Sequence, residues 1–255
     1  MKIPRFVSLL DARFLGNRLR KFYRRLLAAR SLGYGKSHSV VINYDSRNSL
    51  LKELFYRFGS DKGAPFDLIH PVTDWPAHTY ADLYGLLFEP HRNDVKLIFE
   101  NGIGTNNLVF ESNMGLQGLP GASLRAWEEY FPNAEVFGAD IDESVLFSEG
   151  RIVTCQMDQL SSESIANYFG NIKRYDFDLI IDDGLHTFTA GVCLFENSFT
   201  FLRSGGTYII EDVTQKDKLN FLKYFEAKNL AVFFFDLHRP VLNLGDNSVI
   251  VIRKV

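Results

Sequence analysis

The sequence predicts an α/β fold: a doubly wound sheet of seven mostly parallel strands with an antiparallel last strand, preceded by helices. Three observations lead there. From position 95 onward, short β-branched and aromatic runs alternate with stretches of helical periodicity, the pattern of crossover units in a parallel sheet. Several of those runs stop abruptly at acids or glycines, as strands do where they meet a turn at one edge of the sheet. The final two runs are joined by residues 237–247, which leave no room for a crossover helix, so the last strand should return antiparallel.

The chain opens on a basic amphipathic segment, residues 1–36. Over 11–32 the pattern is helical: Leu15, Leu19, Phe22 and Leu26 share a face, with Arg18, Arg20, Lys21, Arg24 and Arg25 around the rest. The segment holds ten Lys/Arg and one acid, Asp11, a local charge of +9 that leaves −12 on the remainder of a chain at −3. Three roles fit such a helix. It can pack, solvated, on its own or a neighbouring subunit of a homo-oligomer; it can lie on an anionic membrane surface; or it can touch nucleic acid. No nucleic-acid-binding motif accompanies the charge, so a nucleic-acid partner is not expected. No apolar run is long enough to span a membrane, and residues 6–10 are too short for a signal-peptide core. Cys155 and Cys193 lack metal-ligand spacing and suit a reducing interior, so the expected location is cytoplasmic.

Residues 37–94 read as a helical cap or lid. A helix is expected over 46–58 with Asn48 or Ser49 near its start, then the polar loop Phe58-Gly-Ser-Asp-Lys-Gly63. A second helix is expected over 76–88, with Pro76 in its first turn and Tyr80, Leu83, Tyr84 and Leu87 at helical spacing. The core is then 95–255. Its strands are expected at 96–100, 135–140, 152–157, 177–182, 207–212, 231–236 and 248–253, and its helices at 122–131, 162–169, 189–202 and 216–228.

Function concentrates at the strand ends. Open parallel sheets bind ligands beyond the carboxyl ends of their strands. The first strand leads into Glu100-Asn-Gly-Ile-Gly104, where Gly102 and Gly104 allow a tight turn and close approach of a ligand. The third glycine of a dinucleotide fingerprint is replaced by Asn107, which argues against an NAD-dependent oxidoreductase. The second strand ends in Gly138-Ala-Asp-Ile-Asp142. Asp140, with Asp142 in reserve, is placed to accept from both hydroxyls of a ribose, a solvated strand-end acid being the plain alternative. Asp158, supported by Gln159, could accept from an adenine amino group. The fourth strand ends in Asp182-Asp-Gly-Leu-His186 and the fifth in Glu211-Asp212. So many acids beside a histidine would be costly as structure alone; they read as a metal and proton-transfer site.

Glu100-Asn-Gly-Ile-Gly104, Gly138-Ala-Asp140, Asp158 and the fourth-strand acids together resemble class I S-adenosylmethionine-dependent methyltransferases, a Rossmann-like fold. Phe58-Gly-Ser-Asp-Lys62, His78-Thr-Tyr80, Gly121–Trp127, Asp158-Gln159, Ile181–His186 and Ile210–Asp212 carry a narrower likeness. That set is similar to the metal-dependent sugar O-methyltransferases of the mycinamicin and tetracenomycin-glycoside type. The resemblance implies S-adenosylmethionine and Mg²⁺ (or Mn²⁺) as cofactors, Asp183, Glu211 and Asp212 as metal ligands, and His186 as general base. It also implies that Ser60, Lys62 and Tyr80 lie on a segment closing over the donor. Glu100 would bind the methionine amine or anchor its loop, and Asp182 would orient a neighbour or lie near the donor's methionine end. The sequence departs from the family in reading Gly-Leu-His rather than Gly-Ser-His, and in carrying the basic helix where the macrolide enzyme has a large amino-terminal region.

The expected reaction is therefore methyl transfer to a hydroxyl of a nucleotide-activated sugar, a surface-glycan precursor (polysaccharide biosynthesis) or a glycoside. A phosphate-derived or other small acceptor is the near alternative, and His238 and Arg239 are placed to face an acceptor phosphate. A nucleotide-dependent oxidoreductase and a non-catalytic scaffold are the remoter ones.

Overall fold

The computed structural model describes residues 49–64, 72–73, 75–228, 230–237 and 245–255. The segment 11–32, where a basic helix is expected, and His238 and Arg239 lie outside the described residues. Eight strands make one sheet: β1 (Leu97–Asn101), β2 (Glu135–Asp140), β3 (Ser148–Glu149), β4 (Ile152–Gln156), β5 (Phe177–Asp182), β6 (Leu202–Ile210), β7 (Ala231–Asp236) and β8 (Ser248–Arg253). Their spatial order is β3-β4-β2-β1-β5-β6-β8-β7. Strands β4, β2, β1, β5 and β6 pair in parallel, while β8 runs antiparallel between β6 and β7. The seven expected strands are all present. The eighth, β3, is a two-residue antiparallel addition at the edge.

The described helices are α1 (Leu50–Phe58), α2 (Tyr80–Phe88), α3 (Ala122–Tyr130), α4 (Ser162–Ile172), α5 (Phe188–Ser198) and α6 (Gln215–Glu226). Successive strand residues point to opposite faces, so the core divides in two. Ile98, Leu179 and Ile181 pack with Phe55 of α1, Tyr84 of α2 and Trp127 of α3. Their neighbours Phe99 and Ile180 face the other way, with Phe169 of α4, Leu194 of α5 and Phe221 of α6. The abundant phenylalanines do fill the core: Phe99 alone lies 5.0 Å, ring to ring, from both Tyr168 and Phe169.

Asp178, the one acid inside the apolar run of β5, has a structural task. Its Oδ2 accepts from the backbone N–H groups of Lys96 (2.7 Å) and Leu97 (3.0 Å), and its Oδ1 accepts from Arg203 Nε (2.6 Å). It staples the entrance of β1 to β5 and β6. Asp178→Ala is expected to lower the unfolding free energy by about 2 kcal/mol, because two amide donors lose their acceptor. Urea denaturation should report this as a lower midpoint with an unchanged slope.

Two boundaries differ from the sequence reading for tertiary reasons. The helix expected from Pro76 starts at Tyr80, because the preceding amides serve distant acceptors. His78 N donates to Asp61 O (2.7 Å) and Thr79 N donates to Asn247 Oδ1 (3.2 Å). Strand β6 begins at Leu202 and ends at Ile210, so Glu211 and Asp212 stand just beyond it, and Asp212 turns with φ +51°. Among the described residues no helix is long and apolar enough to cross a membrane, and Cys155 and Cys193 are free thiols.

Strand register lines up the site. Cys155, Ala139, Asn101, Asp182 and Ile210 are successive partners across β4, β2, β1, β5 and β6. Every loop leaving this row therefore departs from the same edge. Between β1 and β5 the strand order reverses, the position at which such sheets open a crevice.

Candidate active site at the carboxyl edge of the sheet

A cavity of about 500 Å³ opens at this edge. Its walls are Gly102–Gly104 after β1, Asp140 and Ile141 after β2, Met157–Leu160 after β4, Asp183–His186 after β5 and Asp212 after β6. Ser60, Asp61 and Lys62 close it from the loop between α1 and α2, and Phe110–Met114 from the segment before α3.

The glycine turn is built for close approach. Gly102 has φ +84°, and a Cβ there would sit 2.0 Å from the backbone oxygen of Asp183. Its N–H donates to Ala139 O (2.8 Å), while Asp183 N donates to Asn101 O (2.9 Å), so three strand ends are drawn together at this point. Asp140 holds the same turn, its Oδ2 accepting from Ile103 N (3.0 Å) and its Oδ1 from Asp142 N (3.0 Å). Gln159 bridges two neighbouring loops: Nε2 donates to Asp182 Oδ1 (2.7 Å) and Oε1 accepts from Leu185 N (2.9 Å). Burial pushes the Asp182 carboxyl up to about 6, against the pull of the His186 ring, the Gly184 amide and Gln159 Nε2.

Next to the cavity stands a buried charge cluster. Lys62, 2% exposed, places Nζ 2.6 Å from Asp183 Oδ2, in contact with Glu211 Oε2, and 3.5 Å from Glu100 Oε1. Glu211 Oε1 accepts from the Tyr84 hydroxyl. Burial pushes the Asp183 carboxyl up to about 7 although the Lys62 ammonium pulls it down, and burial likewise raises Glu211. On the other side Asp212 lies between two imidazoles. His78 Nδ1 is 2.9 Å from its Oδ1 and His186 Nδ1 is 3.6 Å from its Oδ2. Neither ring nitrogen makes a well-directed hydrogen bond. Burial alone would raise Asp212, yet the His78 and His186 rings hold it well below the usual carboxylate range. Burial lowers His78, but Asp212 outweighs it and lifts the imidazole to about 9. The Tyr80 hydroxyl donates to Asp212 Oδ1 and accepts from Asp212 N (3.2 Å).

Donor atoms of Asp183, His186 and Asp212 all lie within 4.8 Å of one another. Two carboxylates and an imidazole suit a hard divalent cation with open positions. Glu211, the third ligand implied by the resemblance, stands apart from this trio: it is 1% exposed, with one oxygen on Lys62 and the other on Tyr84. Among residues expected at the donor, Ser60, Gly102, Gly104, Asp140, Asp158 and Gln159 wall the cavity. Glu100, Asp182 and Tyr80 sit behind it. Glu100 accepts from Ser123 Oγ (2.6 Å) and from Trp127 Nε1, anchoring the first turn to α3. Asp142, the reserve for Asp140, is a loop staple that accepts from Thr105 Oγ1 (2.5 Å) and Ser144 N (2.9 Å). The sequence reading missed His78 and Tyr84 as partners of the acids, and the central place of Lys62 between them. Only the motifs containing His78 and Lys62 pointed that way.

No protein-family model matches the chain. Among curated proteins, it is 32% identical over 166 residues to 8-demethyl-8-alpha-L-rhamnosyl tetracenomycin-C 2'-O-methyltransferase of Streptomyces olivaceus, covering 64% of this chain and 37% of that protein. It is 31% identical over 178 residues to mycinamicin VI 2''-O-methyltransferase of Micromonospora griseorubida, covering 69% and 39% respectively. The chain thus spans well under half the length of these relatives. Among solved structures, MycE methyltransferase from the mycinamycin biosynthetic pathway, in complex with Mg and SAH, superposes with a TM-score of 0.57 at 25% identity. That match covers 94% of this chain and 63% of MycE. From this kinship and the sheet order above, the chain carries the class I S-adenosylmethionine-dependent methyltransferase fold and is a relative of the sugar O-methyltransferases.

Proposed function

We propose that this chain is an S-adenosylmethionine-dependent, divalent-metal-dependent O-methyltransferase acting on a sugar hydroxyl, with His186 as general base. One observation carries the reading: Asp183, Asp212 and His186 converge in the wall of a cavity they share with the glycine turn after β1, whose Gly102 packs directly against the Asp183 backbone. The complexes of MycE with Mg and SAH, and with mycinamycin VI as well, support the choice of cofactors and a glycoside-like acceptor.

In this reading the Gly102–Gly104 turn admits the methionine end of the donor. Asp140 and Asp158 flank the nucleoside, and Ser60 covers it. Asp183 and Asp212 hold the metal ion, Mg²⁺ or Mn²⁺, which when bound would acidify and orient the acceptor hydroxyl. Glu211 joins them only by leaving Lys62 or Tyr84. His186 lines the cavity with Nδ1 3.6 Å from Asp212 Oδ2, and its neutral imidazole is the group that would accept the hydroxyl proton. As the proton leaves, the oxygen attacks the methyl carbon of the sulfonium: the O–CH₃ bond forms, the S–CH₃ bond breaks with its electron pair left on sulfur, and S-adenosylhomocysteine leaves as a neutral thioether. Alignment of sulfur, carbon and oxygen in one line supplies much of the remaining acceleration.

Thermal shift tests the cofactors. S-adenosylhomocysteine with Mg²⁺ should raise Tm, and stabilisation by NAD alone would sink the reading. Asp212→Asn should weaken Mn²⁺ binding at least tenfold by calorimetry, because a ligand oxygen loses its charge. A labelled methyl donor presented with a panel of nucleotide sugars and simple glycosides then identifies the acceptor.

A further inference from the structure

The metal reading leaves one buried cation without a part to play. Lys62 reaches into the cluster from a loop packed against the start of α2: its backbone oxygen accepts from Ala81 N (3.0 Å), and a Cβ at Gly63 would lie 2.6 Å from Ala81 Cβ. The ammonium therefore cannot drift far from Asp183, Glu211 and Glu100. Three carboxylates, two of them at most 1% exposed, share this single positive charge. Carboxylates held this close repel one another, and a further cation beside them would relieve that repulsion. The open oxygens on the Asp183–Asp212 side are where it can enter.

We propose that Lys62 is a positioning residue for the divalent ion: it holds Asp183 by one oxygen, keeps Glu211 turned inward, and by like-charge repulsion sets how tightly the ion is held. This rests on the metal site proposed above. Asp183 is shared: its Oδ2 is 2.6 Å from the ammonium, and the same carboxylate belongs to the group with His186 and Asp212 whose donor atoms lie within 4.8 Å of one another. An ion seated there stands a few ångströms from a fixed positive charge, at a separation where unit charges in a protein interact strongly. Lys62 also lines the cavity, so one residue touches both the acids and the donor space. A lysine that merely filled space would leave metal affinity unchanged, or lower it when removed. A repelling cation does the opposite.

The test is Mn²⁺ titration of the full chain by calorimetry, with Tm measured in EDTA and in excess Mn²⁺. Lys62→Met should bind Mn²⁺ at least tenfold more tightly than the parent, and its Tm should fall in EDTA yet rise more on Mn²⁺ addition. Lys62→Arg, which keeps the charge, should bind within about threefold of the parent. Equal or weaker binding by Lys62→Met overturns the role of Lys62 while leaving the metal site standing. A parent that takes up no Mn²⁺ overturns both. Should Lys62→Met be unfolded in EDTA, refolding on Mn²⁺ supports the proposal and failure to refold overturns it.

Discussion

Replacing His186 with alanine is expected to lower kcat for sugar methylation by about 10²–10⁴, the usual contribution of a positioned general base. Binding of S-adenosylhomocysteine should stay within about threefold of the parent, because the glycine turn and the nucleoside-flanking acids are separate from the ring. Mn²⁺ affinity decides between two parts for the imidazole. His186 lies within 4.8 Å of the donor atoms of Asp183 and Asp212, close enough to ligate the ion itself. A base that is not a ligand leaves Mn²⁺ affinity nearly intact when removed, whereas a ligand takes much of it away. A variant that methylates at the parent rate would remove His186 from the chemistry altogether.

Gly102→Ala should damage fold and site together. The position has φ +84°, which costs an L-residue about 1–2 kcal/mol. The added methyl would also meet Asp183 O at 2.0 Å, Asp183 C at 2.5 Å and Gly184 Cα at 2.8 Å, all of them backbone atoms. Because backbone cannot swing aside as a side chain does, overpacking adds about 1–3 kcal/mol more. The expected sum, about 2–5 kcal/mol, should appear as a lower Tm together with weakened S-adenosylhomocysteine binding and weakened Mn²⁺ binding. Gly170→Ala, inside a helix where its Cβ would meet nothing within 4 Å, serves as the control and should leave binding unchanged while stabilising the fold by up to about 1 kcal/mol.

The sheet was legible because its signals are local. Apolar runs with period two ended in acids, and those endings fell along one edge once the strands paired. The antiparallel last strand followed from the length of one connection. What escaped was set by partners far away in the chain. Pro76 looks like a helix start, but Asn247, 168 positions beyond Thr79, claims the Thr79 amide and delays the helix. Glu211 was expected as a metal ligand beside Asp212, and nothing local in the sequence announced that Lys62, 149 positions earlier, would meet its carboxylate. Asp178 seemed an interruption of a buried strand, until Lys96 and Arg203 supplied its donors. Alternation along a strand says which side a residue faces; it cannot say which opposite charge waits there.

The amide of Gln159 has a wider consequence. One end grips Asp182 and the other the loop that carries His186, while the residue itself borders the space assigned to the methyl donor. A guest that stiffens either side prepares the other at no extra cost in ordering. Thermodynamic reciprocity then requires that any factor by which the donor changes the ion's affinity is the factor by which the ion changes the donor's, whichever arrives first.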